Sequence, residues 1–185
     1  MIGLFGGAFD PPHNGHVALL DKAKQELRLV EAVVVVAAAP GHKTVETPAA
    51  TRLALARAAF PGEAVVLDQH PRTIDMLRAH PEWEEAVFLL GADQFAGFLD
   101  WKEPDALLRE VRLGVATRPG YPRERLDAVL ARLETPERVL FFDLEPLPIS
   151  SSALRAGLDR GDDVHELVPA AVWELIERDG LYGRD

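Results

Sequence analysis

The stretch Ile2-Gly3-Leu4-Phe5-Gly6-Gly7-Ala8-Phe9-Asp10-Pro11-Pro12-His13-Asn14-Gly15-His16 decides the fold. Its apolar opening reads as a buried strand. Gly6 and Gly7 let the chain leave that strand with bare backbone amides facing an anion, because no Cβ intervenes. Pro11 and Pro12 stiffen the loop and delay a helix until Asn14 or Gly15, whose positive dipole end then faces the loop. His13 and His16, three residues apart, fall on one side of the first helical turn, where both imidazoles can donate to one phosphate. By spacing alone the same residues also fit an ordinary tight turn with capping histidines, or a metal site built from Asp10, His13 and His16.

Outward from this unit, short β-branched runs alternate with amphipathic stretches. Strands are expected over residues 2–5, 32–38, 64–67, 86–90, 111–116 and 139–142, and helices over 15–29, 49–59, 73–79, 104–109 and 123–133. Such alternation predicts an α/β fold, a doubly wound parallel sheet with right-handed crossovers. The run Val33-Val34-Val35-Val36 suits a strand buried on both faces. Ligands of such sheets bind beyond the carboxyl ends of the strands, where the glycine loop lies. From Ile149 onward the chain reads as helical, over 151–158 and 170–178, with Val172, Trp173, Leu175 and Ile176 as a buried stripe. The expectation is one domain over residues 1–185, with 149–185 as a small helical C-terminal subdomain against the open side of the sheet.

The composition agrees. A chain of 185 residues can bury one sizeable core, and a formal net charge of −10 argues against non-specific nucleic-acid binding. Small anionic substrates remain compatible if basic side chains gather in one cleft. With no cysteine there is no disulfide framework. Neither a signal-like segment nor an apolar run of membrane-spanning length is present, so a soluble, cytoplasmic protein with no membrane partner is expected.

The opening motif has the form GGxFDPxHxGH. With its HxGH core it resembles the nucleotidyltransferase superfamily, specifically the bacterial nicotinate-nucleotide adenylyltransferases, whose fold is Rossmann-like. A second string, Ile149-Ser150-Ser151-Ser152-Ala153-Leu154-Arg155, resembles the family's ISSTxIR motif. Taken alone, its serines read as helix caps, while Arg155, one turn in, can reach back toward an anion at the helix start. Gly91-Ala92-Asp93 with Trp101-Lys102 resembles the family's GAD…F..WK block. There the tryptophan region receives the nicotinate ring and the aspartate lies near the adenosine. Without the resemblance, Asp93 fits a helix N-cap and Trp101 a core aromatic. Pro40-Gly41-His42-Lys43 resembles the PxHK loop. The SYTIDTL block is matched only from Thr73 onward, through Asp75 to Leu77, with Pro71 and Arg72 where serine and tyrosine are usual and Met76 in place of a threonine. Arg118, in a proline-glycine turn, matches a further family block. His70, His80 and His165 carry no supporting pattern.

The resemblance implies transfer of the AMP moiety of ATP to nicotinate mononucleotide, giving nicotinate adenine dinucleotide and pyrophosphate. His13, His16, Lys43 and Arg155 would be catalytic. ATP would meet Gly6, Gly7, Ala8, Phe9, His13, His16, Gly91, Asp93, Ile149, Ser150, Ser151 and Arg155. Nicotinate mononucleotide would meet Gly7, Ala8, Phe9, Lys43, Thr73, Asp75, Trp101, Lys102 and Arg118. Mg2+ would be held mainly by ATP phosphates and water, with no protein ligand named. A homo-oligomer stays open. Nicotinamide mononucleotide or pantetheine phosphate as acceptor, and a catalytically silent nucleotide-binding domain, are the competing readings.

Overall fold

Six parallel strands form one sheet in the computed structural model, which describes residues 1–40, 45, 47–145 and 147–183. They are β1 (Ile2–Gly7), β2 (Glu31–Ala37), β3 (Ala64–Asp68), β4 (Val87–Gly91), β5 (Arg112–Thr117) and β6 (Val139–Asp143), in the spatial order β3-β2-β1-β4-β5-β6. The helices are α1 (Asn14–Glu26), α2 (Ala49–Ala59), α3 (Thr73–Ala79), α4 (Ala92–Ala96), α5 (Pro104–Glu110), α6 (Arg123–Leu130), α7 (Ser151–Asp159) and α8 (Ala170–Arg178).

The expected doubly wound sheet is therefore formed, with helices on both faces. Strand β2 carries the clearest signature: Val34 and Val36 enter one core with Phe5, Leu20 and Leu55, while Val35 enters the other with Leu4, Leu90 and Phe98. Alternate side chains of one strand thus bury in opposite layers, which is what an unbroken apolar run requires. The order reverses between β1 and β4, which pair in register from Gly3 opposite Val87 to Phe5 opposite Leu89. That reversal opens a crevice at the carboxyl ends of the two strands. The helical tail lies on the α1/α2 face, where Leu154, Leu158, Val172 and Ile176 share a core with Phe5, Phe9 and Leu55.

Two helix ends and one further helix depart from expectation. Helix α1 stops at Glu26 rather than residue 29, because Arg28 turns left-handed at φ 52° and the chain swings into β2. Helix α6 ends at Leu130 rather than 133. Helix α4 was not foreseen: its five residues span little more than one turn, too few to display a helical period.

Candidate functional site

A cleft of about 600 Å³ sits at the carboxyl end of the sheet, over the β1/β4 reversal. It is lined from the β1 side by Gly6, Gly7, Ala8, Phe9, His13 and His16, from β4 by Gly91 and Asp93, and from the tail by Ile149, Ser150, Ser151 and Arg155. The two motifs from opposite ends of the chain thus line one cleft. Arg118 also lines it, with its guanidinium 5.8 Å from the centre of the Tyr121 ring.

His13 is the N-cap of α1 and is buried, 7 % exposed. Its ring stacks on that of His16 with centroids 3.7 Å apart. The His13 amide donates to Nδ1 of His16 at 3.2 Å. With Nδ1 accepting, the proton of a neutral His16 ring sits on Nε2, which makes that nitrogen a donor. Behind the ring stands Phe9, its centroid 5.1 Å from that of His16. On the opposite wall Ser150 caps α7, accepting from the Ala153 amide at 3.2 Å. Two helix N-termini, those of α1 and α7, therefore border the same volume and bias it toward anions.

The loop between β1 and α1 is held from below. Arg155 Nη1 donates to the Asp10 carbonyl at 2.7 Å, Ser151 Oγ to the Pro11 carbonyl at 2.9 Å, and the Tyr182 hydroxyl to Asp10 Oδ1 at 2.8 Å. Burial raises the ionisation of Tyr182 well above the ordinary tyrosine range, reinforced by its bond to the Asp10 carboxylate. Asp10 is only 3 % exposed, its carboxylate engaged with Tyr182 and 3.8 Å from Arg155. Among the described residues no three His, Asp or Glu side chains gather as a metal cluster, so the Asp10, His13, His16 metal arrangement is not formed.

Thr73, Asp75, Trp101 and Lys102 stand apart from the cleft lining. Trp101 packs edge-on to Phe88 with centroids 6.2 Å apart, and a Cβ on Gly6 would lie 3.0 Å from the Phe88 ring. Gly6 and Phe88 thus connect Trp101 to the cleft. Beside Trp101, Lys102 Nζ donates to Asp75 Oδ1 at 2.7 Å, and this bond holds the Asp75 carboxyl below its usual range. Thr73 opens α3, and Arg72, its exposed N-cap, bonds to the Pro71 carbonyl. The N-cap of α4 is Gly91 rather than Asp93, which sits in the first turn. Lys43, with Gly41 and His42, lies outside the described residues.

Two site residues escaped the sequence reading. Tyr121 joins the cleft wall beside Asp93, and desolvation raises its hydroxyl's ionisation. Arg52 is 1 % exposed and donates to four carbonyls. Its signal was present: Arg52, Leu55, Ala56 and Ala59 form the buried stripe of α2 at helical spacing, with an arginine where an apolar residue is due.

The chain matches the cytidylyltransferase-like family model over residues 4–157. It is 34 % identical to the "Probable nicotinate-nucleotide adenylyltransferase" of Rubrobacter xylanophilus, covering 100 % of this chain and 92 % of the relative. The protein of the same name from Bordetella petrii is 38 % identical, covering 98 % of each chain. Among solved structures, Plasmodium falciparum nicotinic acid mononucleotide adenylyltransferase complexed with NaAD superposes with a TM-score of 0.78. That likeness covers 100 % of this chain and 98 % of the other at 21 % identity, and bears on the fold. The family-model match and the identity to these relatives over the length of the chain show that the protein belongs to the cytidylyltransferase-like family and, within it, to the nicotinate-nucleotide adenylyltransferases.

Proposed function

We propose that the protein transfers the AMP moiety of ATP to nicotinate mononucleotide, forming nicotinate adenine dinucleotide and pyrophosphate. One observation carries this reading: the stacked His13 and His16 at the start of α1 face the same cleft as the serine cap of α7 and Arg155. The attacking group is a phosphate oxygen already ionised at neutral pH, so no protein nucleophile is needed. Positioning and charge stabilisation are the protein's work.

His16, donating from Nε2, meets the α-phosphoryl oxygens as charge shifts toward the leaving pyrophosphate. His13, Lys43 and Arg155 steady the triphosphate. Ile149, Ser150 and Ser151 flank it at the α7 terminus, and Gly91 and Asp93 take the adenosine. Nicotinate mononucleotide lies along Gly7, Ala8 and Phe9 toward Thr73, Asp75, Trp101 and Lys102, with Arg118 toward its phosphate. Among the described residues no three carboxylate or histidine side chains gather as a metal cluster, and Asp10 is committed to Tyr182, which suits Mg2+ carried in by ATP and held by phosphates and water. When bound, that ion neutralises charge on the phosphates. The whole chain, 1–185, acts as one cytoplasmic catalytic domain, with residues 149–185 closing one wall of its site.

Pyrophosphate release with ATP and Mg2+ tests the reading, with nicotinate mononucleotide, nicotinamide mononucleotide and phosphopantetheine offered in parallel. Strong preference for the first is expected. Preference for either other acceptor replaces the substrate assignment, and silence with all three overturns the enzyme reading.

A further inference from the structure

Arg52 lies beneath the cleft and touches two loops at once. Its Nη1 donates to the carbonyls of Ala8 and Ala37, each at 2.8 Å, Nη2 to Ala38 at 2.8 Å, and Nε to Thr47 at 3.0 Å. Burial works against its charge, and the nearby Asp10 carboxylate offsets part of that cost. Ala37, Ala38 and Thr47 belong to the end of β2 and the approach to α2, and a residue that only capped these carbonyls would serve stability alone. Ala8 is different, because it belongs to the loop after β1 and lines the cleft.

In a trans peptide the C=O and N–H point in opposite directions. Among the described residues only the Asp10–Pro11 bond is cis, so the Ala8–Phe9 peptide obeys this rule. Its carbonyl is drawn inward to the buried guanidinium, and the Phe9 N–H is therefore turned the other way, toward the cleft that both residues line. Phe9 itself sits in the left-handed region at φ 51°, unusual for an aromatic residue, and its ring is locked edge-on against Phe5 and Phe60. The peptide is thus fixed at both ends: by Arg52 at the carbonyl and by the Phe9 ring beyond the amide.

We infer that Arg52 is a positioning residue for the reaction: it orients the Ala8–Phe9 peptide so that the Phe9 N–H donates to a substrate phosphate, and it ties that loop to the segment on either side of Lys43. The inference rests on the proposed nucleotide chemistry of the cleft. Lysine at this position keeps the charge but cannot fork to four carbonyls in a plane.

Two measurements test this. In the wild-type protein, the Phe9 amide is followed by NMR during titration with ATP and Mg2+, and its hydrogen exchange is expected to slow at least tenfold at saturation. In Arg52→Lys, purified and checked for folding by circular dichroism, kcat is expected to fall at least tenfold well below the melting temperature, with the Phe9 response to ATP weakened. A folded Arg52→Lys with unchanged kcat and KM overturns the inference, as does a wild-type Phe9 amide indifferent to saturating ATP. If the variant does not fold, the wild-type amide decides alone. Failure of the proposed reaction reads separately, as absent turnover by wild type, while the amide response to ATP does not depend on the acceptor.

Discussion

The Tyr182 hydroxyl donates to the Asp10 carboxylate at 2.8 Å across 172 positions of sequence, closing the end of the chain onto the loop that follows β1. Arg155 reaches the same residue at its backbone carbonyl, and Ser151 the next. The opening motif and the tail motif are consequently one hydrogen-bonded cluster. The tail contributes to the geometry of the site as well as to its cover.

Removing the tyrosine hydroxyl leaves a buried carboxylate oxygen without that donor, a loss of about 1–3 kcal/mol. Tyr182→Phe should show this in urea unfolding at pH 7. The pH dependence carries a definite sign. The folded protein raises the ionisation of Tyr182 above its unfolded value, so the contribution is complete below about pH 10 and drains away as pH rises past it, when the unfolded chain gives up its proton first. Wild type should lose more stability than Tyr182→Phe between pH 9 and 11, with Tyr121 common to both. Parallel alkaline profiles would remove the linkage.

His16 has two separable duties. Its Nδ1 accepts from the His13 amide, a capping contact worth about 1 kcal/mol, whereas the proposed reaction assigns its Nε2 donor to the transition state, where loss of one such donor costs roughly 10²–10³ in turnover. His16→Ala should therefore lower kcat by orders of magnitude while the melting temperature falls only by several degrees. Unchanged turnover in the folded variant would strip His16 of its catalytic assignment.

The fold was legible because its signals are local. Val33 to Val36, the strand-glycine-helix opening and the alternating amphipathic stretches each state their layer without reference to the rest of the chain. Of the expected site, the parts next to a strand end or a helix start line one cleft: Gly6 to Phe9, the two histidines, Asp93 and the α7 serines. What sequence could not display were contacts made through backbone carbonyls or between residues far apart in the chain. Arg52 recognises no side chain among its four partners, and Tyr182 meets Asp10 across 172 positions of sequence. Trp101, expected at the acceptor, was placed outside the cleft lining because Phe88 stands between it and Gly6.

That position makes Trp101 a selective probe. Its ring is edge-on to Phe88 and tilted 55° against Phe98, with the rest half-buried. Trp101→Leu keeps an apolar filler but withdraws the stacking surface, worth about 1 kcal/mol beyond area. Steady-state kinetics should show KM for nicotinate mononucleotide rising several-fold with KM for ATP unmoved. Equal increases in both would place Trp101 in general packing instead.

Gly7 is required for space, since its φ is not in the left-handed region. A Cβ there would come within 2.9, 3.0 and 3.2 Å of three atoms of the Phe9 ring. The ring has no retreat: it is 1 % exposed, with Phe5 and Phe60 edge-on at centroid distances of 5.4 and 5.7 Å. The strain of Gly7→Ala must pass into the backbone, moving the Ala8–Phe9 peptide off the direction set by Arg52. Overpacking of this kind costs about 1–3 kcal/mol of stability, and misplacing a phosphate donor by an ångström costs about 10²-fold in rate. Gly62 provides the comparison, because a Cβ added there meets nothing within 4 Å. Gly62→Ala should leave turnover and melting temperature near wild type, while Gly7→Ala loses activity far out of proportion to its melting temperature. Wild-type turnover in folded Gly7→Ala would mean that the loop tolerates displacement and that its amides do not set the rate.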